Sequence, residues 1–189
     1  MLKKISTNKL IIMNILKTPI LNIKNESSNL VAELATVKKF LKVDFEDDDE
    51  LIKKLIITAT NQCETYIDKT LTKKTYVYSI YSLKNESIFL PYPIVISIDK
   101  VEVVSADNKK EEFSDYFFDN VGGIVNFVNK PSNFYRIDIT YTAGATLIND
   151  EIIQAILMHI ARMYEDRSGY SPMPLNTANI YKKYKQVRL

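Results

Sequence analysis

The stretch from Ile137 to Gly169, IDITYTAGATLINDEIIQAILMHIARMYEDRSG, most constrains what this 189-residue chain can fold into. It reads as a strand, a glycine turn and the longest apolar helix of the sequence. Ile152, Ile153, Ile156, Leu157, Ile160, Met163 and Tyr164 recur at helical spacing and cover more than half of the helix circumference. Only Gln154, Arg162 and Glu165 form a polar strip, and Met158 interrupts it. A helix this apolar is buried on most sides. The core is therefore expected around Glu151–Asp166, capped by Asn149 or Asp150. Ile153, Ile156, Leu157, Ile160 and Tyr164 are the residues expected to pack that core or to meet a second subunit.

Two helices are expected upstream. Leu30, Leu34, Val37 and Leu41 fall three and four apart and predict a short helix over about 31–41. Leu51, Leu55, Ile56, Ala59, Cys63, Tyr66 and Ile67 form a stripe on a helix over about 48–69, with Lys53, Lys54, Thr60, Asn61 and Glu64 facing away. The acidic run Asp44–Glu50 between them is no calcium loop. Counted from Asp44, Asp49 stands where such a loop needs glycine and Leu55 where it needs glutamate. Asp47 is expected to cap the helix with Glu50 as its capping-box partner.

From about 73 to 142 the period changes from helical to alternating. Short runs such as Thr75–Tyr81, Ile94–Ile98, Lys100–Ser105, Ile124–Val128 and Tyr135–Tyr141 are separated by Pro, Gly and Asn turns. Six to eight antiparallel strands are expected. The fold class is α+β: a small helical bundle of three main helices plus a C-terminal arm, with an inserted antiparallel β-meander.

The pattern excludes most chemistry. Cys63 is the one cysteine and His159 the one histidine, so neither a disulfide nor a zinc cluster is available. Cys63 lies in an apolar stripe and His159 between apolar residues, which assigns both to packing rather than to a nucleophile and base. No glycine-rich phosphate loop or Ser/His/Asp spacing occurs. No catalytic residue, cofactor or metal is expected, and no apolar run reaches the eighteen residues of a membrane helix.

Charge divides the chain into three. Residues 1–30 carry five Lys and one Glu, residues 171–189 carry three Lys and one Arg without an acid, and the middle is net acidic. Residues 1–29 read as an irregular basic extension. In it, Leu10-Ile11-Ile12-Met13 is too short for a signal sequence, and Met13 is an alternative start. Residues 30–170 form the main domain. Ser171-Pro172-Met173-Pro174 is a stiff linker to a basic arm, in which Ile180, Tyr184 and Val187 would share a helical face and Lys182, Lys183 and Lys185 lie elsewhere. So short an arm is expected to order on a partner. Basic ends seek an acidic partner, and a nucleic-acid-binding module using those ends is the alternative reading.

Several phrases in fixed order add a family resemblance. They are LATVKKFLKVD at 34–44, ETYIDKTL at 64–71, LPYPIVISIDKVEVVSADNKKEEF at 90–113, ITYTAGA at 139–145 and IIQAILMHIARMYEDR at 152–167. Together they resemble the head–tail connector (adaptor) proteins of long-tailed bacteriophages and of phage-derived gene transfer agents. The resemblance implies a virion protein at the head–tail junction, in the host cytoplasm during assembly. It implies a ring, commonly of twelve copies, between the portal and a stopper or tail-completion protein, with DNA passing through the lumen. By the same analogy Ile180, Tyr181, Lys182, Lys183, Tyr184, Lys185, Val187 and Arg188 dock on the portal, with Tyr181 and Tyr184 as anchors. An acidic middle suits a lumen that must not grip phosphates.

Overall fold

The computed structural model describes residues 18–26, 29–166 and 173–186, which form eight strands and four helices. The strands are β1 (Ile20–Glu26), β2 (Lys74–Ile80), β3 (Ser87–Phe89), β4 (Val95–Val104), β5 (Lys110–Glu112), β6 (Tyr116–Asp119), β7 (Ile124–Phe127) and β8 (Arg136–Ala143). The helices are α1 (Leu34–Leu41), α2 (Asp49–Ile67), α3 (Asp150–Glu165) and α4 (Leu175–Tyr184). They divide into two compact units. One holds β1 and Lys74–Ala143; the other holds the helices on either side of that segment.

The strand unit is antiparallel throughout, in two sheets ordered β1-β2-β8-β4-β5 and β3-β7-β6. The last strand, β8, returns to the centre of the larger sheet. Alternation along it sends Ile137, Ile139, Tyr141 and Ala143 into a cluster with Tyr76, Val101 and, from the smaller sheet, Ile88, Val125 and Phe127. Tyr76 stacks between Tyr92 and Tyr141, at ring-centroid distances of 5.2 and 5.4 Å. The other face of β8 is polar yet equally covered. Asp138 accepts from Ser79 Oγ at 2.6 Å and pairs with Arg136 Nε at 2.7 Å, and Thr142 Oγ1 donates to Asp99 at 2.8 Å. The bonds from Ser79 and to Asp99 cross between strands and give buried Asp138 and Thr142 partners.

The expectation of irregular chain before residue 30 fails over Ile20–Glu26, which pairs along β2. It is an edge strand, and of its residues only Leu21 is half-buried. An exposed edge carries almost no hydrophobic period, so the sequence pattern hides it. Its last pair, Glu26 opposite Lys74, continues across the sheet to Ala143. The chain's three passages between the units, after Glu26, before Lys74 and after Ala143, thus leave from one row of adjacent strands. Buried Lys74 reaches Glu26 at 3.1 Å across that row.

In the helical unit, Val37, Ile52, Ile56, Ala59, Cys63, Ile67, Ile152, Ala155, Ile156, Leu157, Ile160 and Tyr181 make one core. The α2 face is rotated from the expected one. Ile52 replaces Leu51 inside, and Thr60 and Glu64, expected to face away, are buried. Thr60 satisfies its hydroxyl by donating to Ile56 O at 2.7 Å. The start of α2 also differs. Asp48 is the cap residue and makes no side-chain capping bond, while Glu50 pairs with Lys53 at 2.6 Å instead of closing a capping box with Asp47. Asn149 caps α3 as expected, accepting from Glu151 N at 2.8 Å. The wide apolar arc of α3 has a local cause: α1, α2 and α4 all pack within the same cluster.

Candidate functional site

The basic C-terminal segment is the feature the sequence singles out, and the structure changes its character. Leu175–Tyr184 is a helix seated in the helical core and not an exposed arm. Packing, rather than intrinsic propensity, supports so short a helix. Tyr181 is 0% exposed, its ring 6.0 Å from that of Tyr66 and 6.4 Å from that of His159. It is therefore a core residue and is not free to anchor on a partner in this conformation. Ile180 is half-buried against the same core.

The end of the segment is latched from outside. Tyr184 Oη donates to Glu151 Oε2 at 2.7 Å, and Lys183 Nζ lies 2.6 Å from Glu151 Oε1. These bonds, that to Lys183 foremost, hold the Glu151 carboxyl below its usual range, and the bond to Glu151 raises the Tyr184 phenol. Lys185 stands 5.8 Å over the Tyr66 ring and 3.9 Å from Asp68. Gln186 N donates to Ile67 O at 2.8 Å and ties the segment to the end of α2. Lys182, Lys183 and Lys185 remain exposed. Two of these three lysines already face a carboxylate of the chain, which lowers what they offer to phosphate. Val187 and Arg188 lie outside the described residues.

Of the α3 residues, Ile156 and Ile160 are 0% exposed and Leu157 6%, so the chain itself covers them. Ile153 and Tyr164 are half-buried. Tyr164 donates to Asp48 Oδ2 at 2.5 Å, linking the last turn of α3 to the cap of α2. The two groups considered for nucleophilic chemistry are sealed. Burial pushes the Cys63 thiol up to about 12, and burial lowers the His159 imidazole so that it stays neutral. The Tyr181 hydroxyl is in electrostatic contact with Cys63 but closes no well-aligned hydrogen bond. Among the described residues no group of three His, Cys, Asp or Glu side chains converges as metal ligands, and no helix is long and apolar enough to cross a membrane.

Sequence reasoning missed Glu64. Its buried carboxylate accepts from Leu71 N at 2.7 Å and Thr72 N at 3.1 Å, which fixes the turn leaving α2. A signal for it exists: an acid in the last turn of a helix opposes the helix dipole, so it needs donors of its own.

A family model described as "Head completion protein" matches residues 31–171. No curated protein sequence matches. Similar solved structures include three from gene transfer agent particles. A chain of a structure described as the virion of a native gene transfer agent particle aligns with a TM-score of 0.74 and 18% identity, covering 90% of this chain and 97% of that one. A chain from the neck of an empty gene transfer agent particle, computed with C6 symmetry, gives 0.71 and 16%, with 90% and 97% covered. One from the neck of a native particle, computed with C12 symmetry, gives 0.68 and 17%, with 89% and 97% covered.

Proposed function

The chain belongs to the head completion protein family, a structural and non-enzymatic role at the head–tail connection of a particle, and on that premise we propose that it acts as a ring-forming adaptor beneath the portal. In this reading about twelve copies surround the channel through which DNA leaves the head, and a stopper or tail-completion protein binds below. The observation that carries the proposal is the family match over residues 31–171, which runs through α1, α2, α3 and the inserted strands β2 to β8. The twelvefold count draws support from the C12 symmetry of a similar neck.

The portal-facing surface is assigned to the exposed Lys182 and Lys185 and to Val187 and Arg188 beyond them. Tyr181 and Ile180 hold α4 in place instead of docking. Deleting 176–189 would therefore remove core as well as contact. Charge reversal is the cleaner probe. K182E should weaken capture of purified portal protein while leaving the melting temperature nearly unchanged; undiminished capture would overturn the docking assignment. For the role itself, particles assembled without this chain should accumulate as DNA-filled heads lacking tails. Tailed, infectious or transducing particles in its absence would refute the adaptor reading.

A further inference from the structure

The helical unit carries an open groove of about 510 Å³ along α2, lined by Thr58, Asn61, Gln62, Thr65, Tyr66 and Met173. From Leu55 to Cys63 the helix has no charged residue, in a chain that is 25% charged. Ile57, 48% exposed, stands one turn from Asn61 and adds an apolar flank. A solvated helix face ordinarily carries charge. An exposed face without it, lined by an aromatic ring and a methionine, has the composition of an interface core. Cations stand at both ends. Exposed Lys54 lies one turn before Thr58, whose Oγ1 donates to Lys54 O at 2.9 Å. Lys185 stands over Tyr66, with Asp68 beside it, where the groove borders the surface assigned to the portal.

The same unit displays a knob of opposite charge. Asp44, Phe45, Glu46 and Asp47 are all exposed, Phe45 to 48%. The loop is held at both ends. Val43 is buried and its N–H donates to Lys38 O at 3.0 Å; Asp49 N donates to Glu46 O at 3.0 Å, and Asp48 accepts from Tyr164. The chain cannot seat Phe45 in its own groove. Phe45 is three residues from Asp48, a reach of about 10 Å. Asn61 is thirteen residues beyond Asp48, ~20 Å along the axis of α2.

We propose that the Asp44–Asp47 loop of one copy inserts Phe45 into the α2 groove of the next, its carboxylates facing the cations at the groove ends. The inference rests on the ring reading above and names the faces through which neighbours meet. Two acidic loops repel each other, which disfavours a self-matching contact. Knob and groove are different surfaces toward opposite ends of α2, the heterologous arrangement that a closed ring of more than two copies requires.

Crosslinking in particles assembled with the full-length chain tests this. With photoreactive benzoyl-phenylalanine in place of Phe45, a species of dimer mass should join residue 45 to the Thr58–Tyr66 peptide of a second copy. Crosslinks to a different protein or to another segment would overturn the interface and leave the ring standing. A native chain that forms no multimer in the particle would overturn both. In parallel, F45A and K54E, both at exposed positions, should each lower the yield of multimer about tenfold with the melting temperature nearly unchanged. Undiminished yield in either variant would equally overturn the contact.

Discussion

The rings of Tyr181 and His159 lie 6.4 Å apart in the core beneath α4, and among the described residues neither the Tyr181 hydroxyl nor either His159 nitrogen meets a well-aligned hydrogen-bond partner. The helix is thus held by apolar contact and by its outer latch, over buried polar atoms that add little. Tyr181→Phe should leave stability unchanged or raise it by up to about 1 kcal/mol, since it deletes a desolvated hydroxyl whose polar neighbour is the weakly bonding Cys63 thiol. Tyr181→Ala should cost about 3–5 kcal/mol through the cavity left behind. Urea denaturation of both variants measures the contrast.

His159 gives stability a pH dependence of known sign. Burial lowers its folded-state pKa below the unfolded value. Above about pH 6.5 both states hold neutral imidazole and the group contributes no slope. As pH falls below that value, the unfolded chain takes up the proton first and the native state loses stability, by up to about 1.4 kcal/mol per pH unit. The difference in unfolding free energy between the native sequence and His159→Phe, followed from pH 7.5 to 5, should show this slope. A constant difference across the range would contradict it.

Glu64 is expected to matter more than any surface acid. Glu64→Ala leaves the Leu71 and Thr72 amides without their acceptor and should cost about 2–4 kcal/mol. Glu64→Gln keeps a carbonyl oxygen in place and should cost less. Thermal melts of the two variants separate the bond from the charge.

Gly144 joins β8 to the chain that leads into α3. Its φ is +154°, and a Cβ there would stand 2.9 Å from Lys73 Cα and from Thr72 O. Both contacts are backbone and neither can swing away. Gly144→Ala should therefore destabilise by about 1–3 kcal/mol, read as a lowered melting temperature in calorimetry.

These sites show why some of the fold was legible in the sequence and some was not. The α3 arc and the strand Tyr135–Tyr141 repeat their periods over enough residues to be read directly, and the antiparallel strands follow from turn residues between them. The rotated α2 face was hidden because Ile56 and Ile67 fit either stripe, and because buried Thr60 and Glu64 carry polar atoms whose partners lie in the same helix turn or in the following loop. The position of α4 was hidden for a different reason. Tyr181 is followed by Lys182 and Lys183, and only tertiary packing tells a core tyrosine from an exposed one. The latch from Tyr184 and Lys183 to Glu151 joins residues more than thirty positions apart, which no local pattern reports.

The row Glu26–Lys74–Ala143 has a mechanical meaning. A domain hung from a single linker transmits tension through one backbone, and that backbone is its weakest point. Here three neighbouring strands, already hydrogen-bonded to each other, all hand over at the same level. A pull between the two units is divided among three backbones, and slippage of any one of them is opposed by the ladder it shares with its neighbour. In a structural protein of the head completion family, such a three-ply connection spreads load across main-chain bonds instead of concentrating it on a loop.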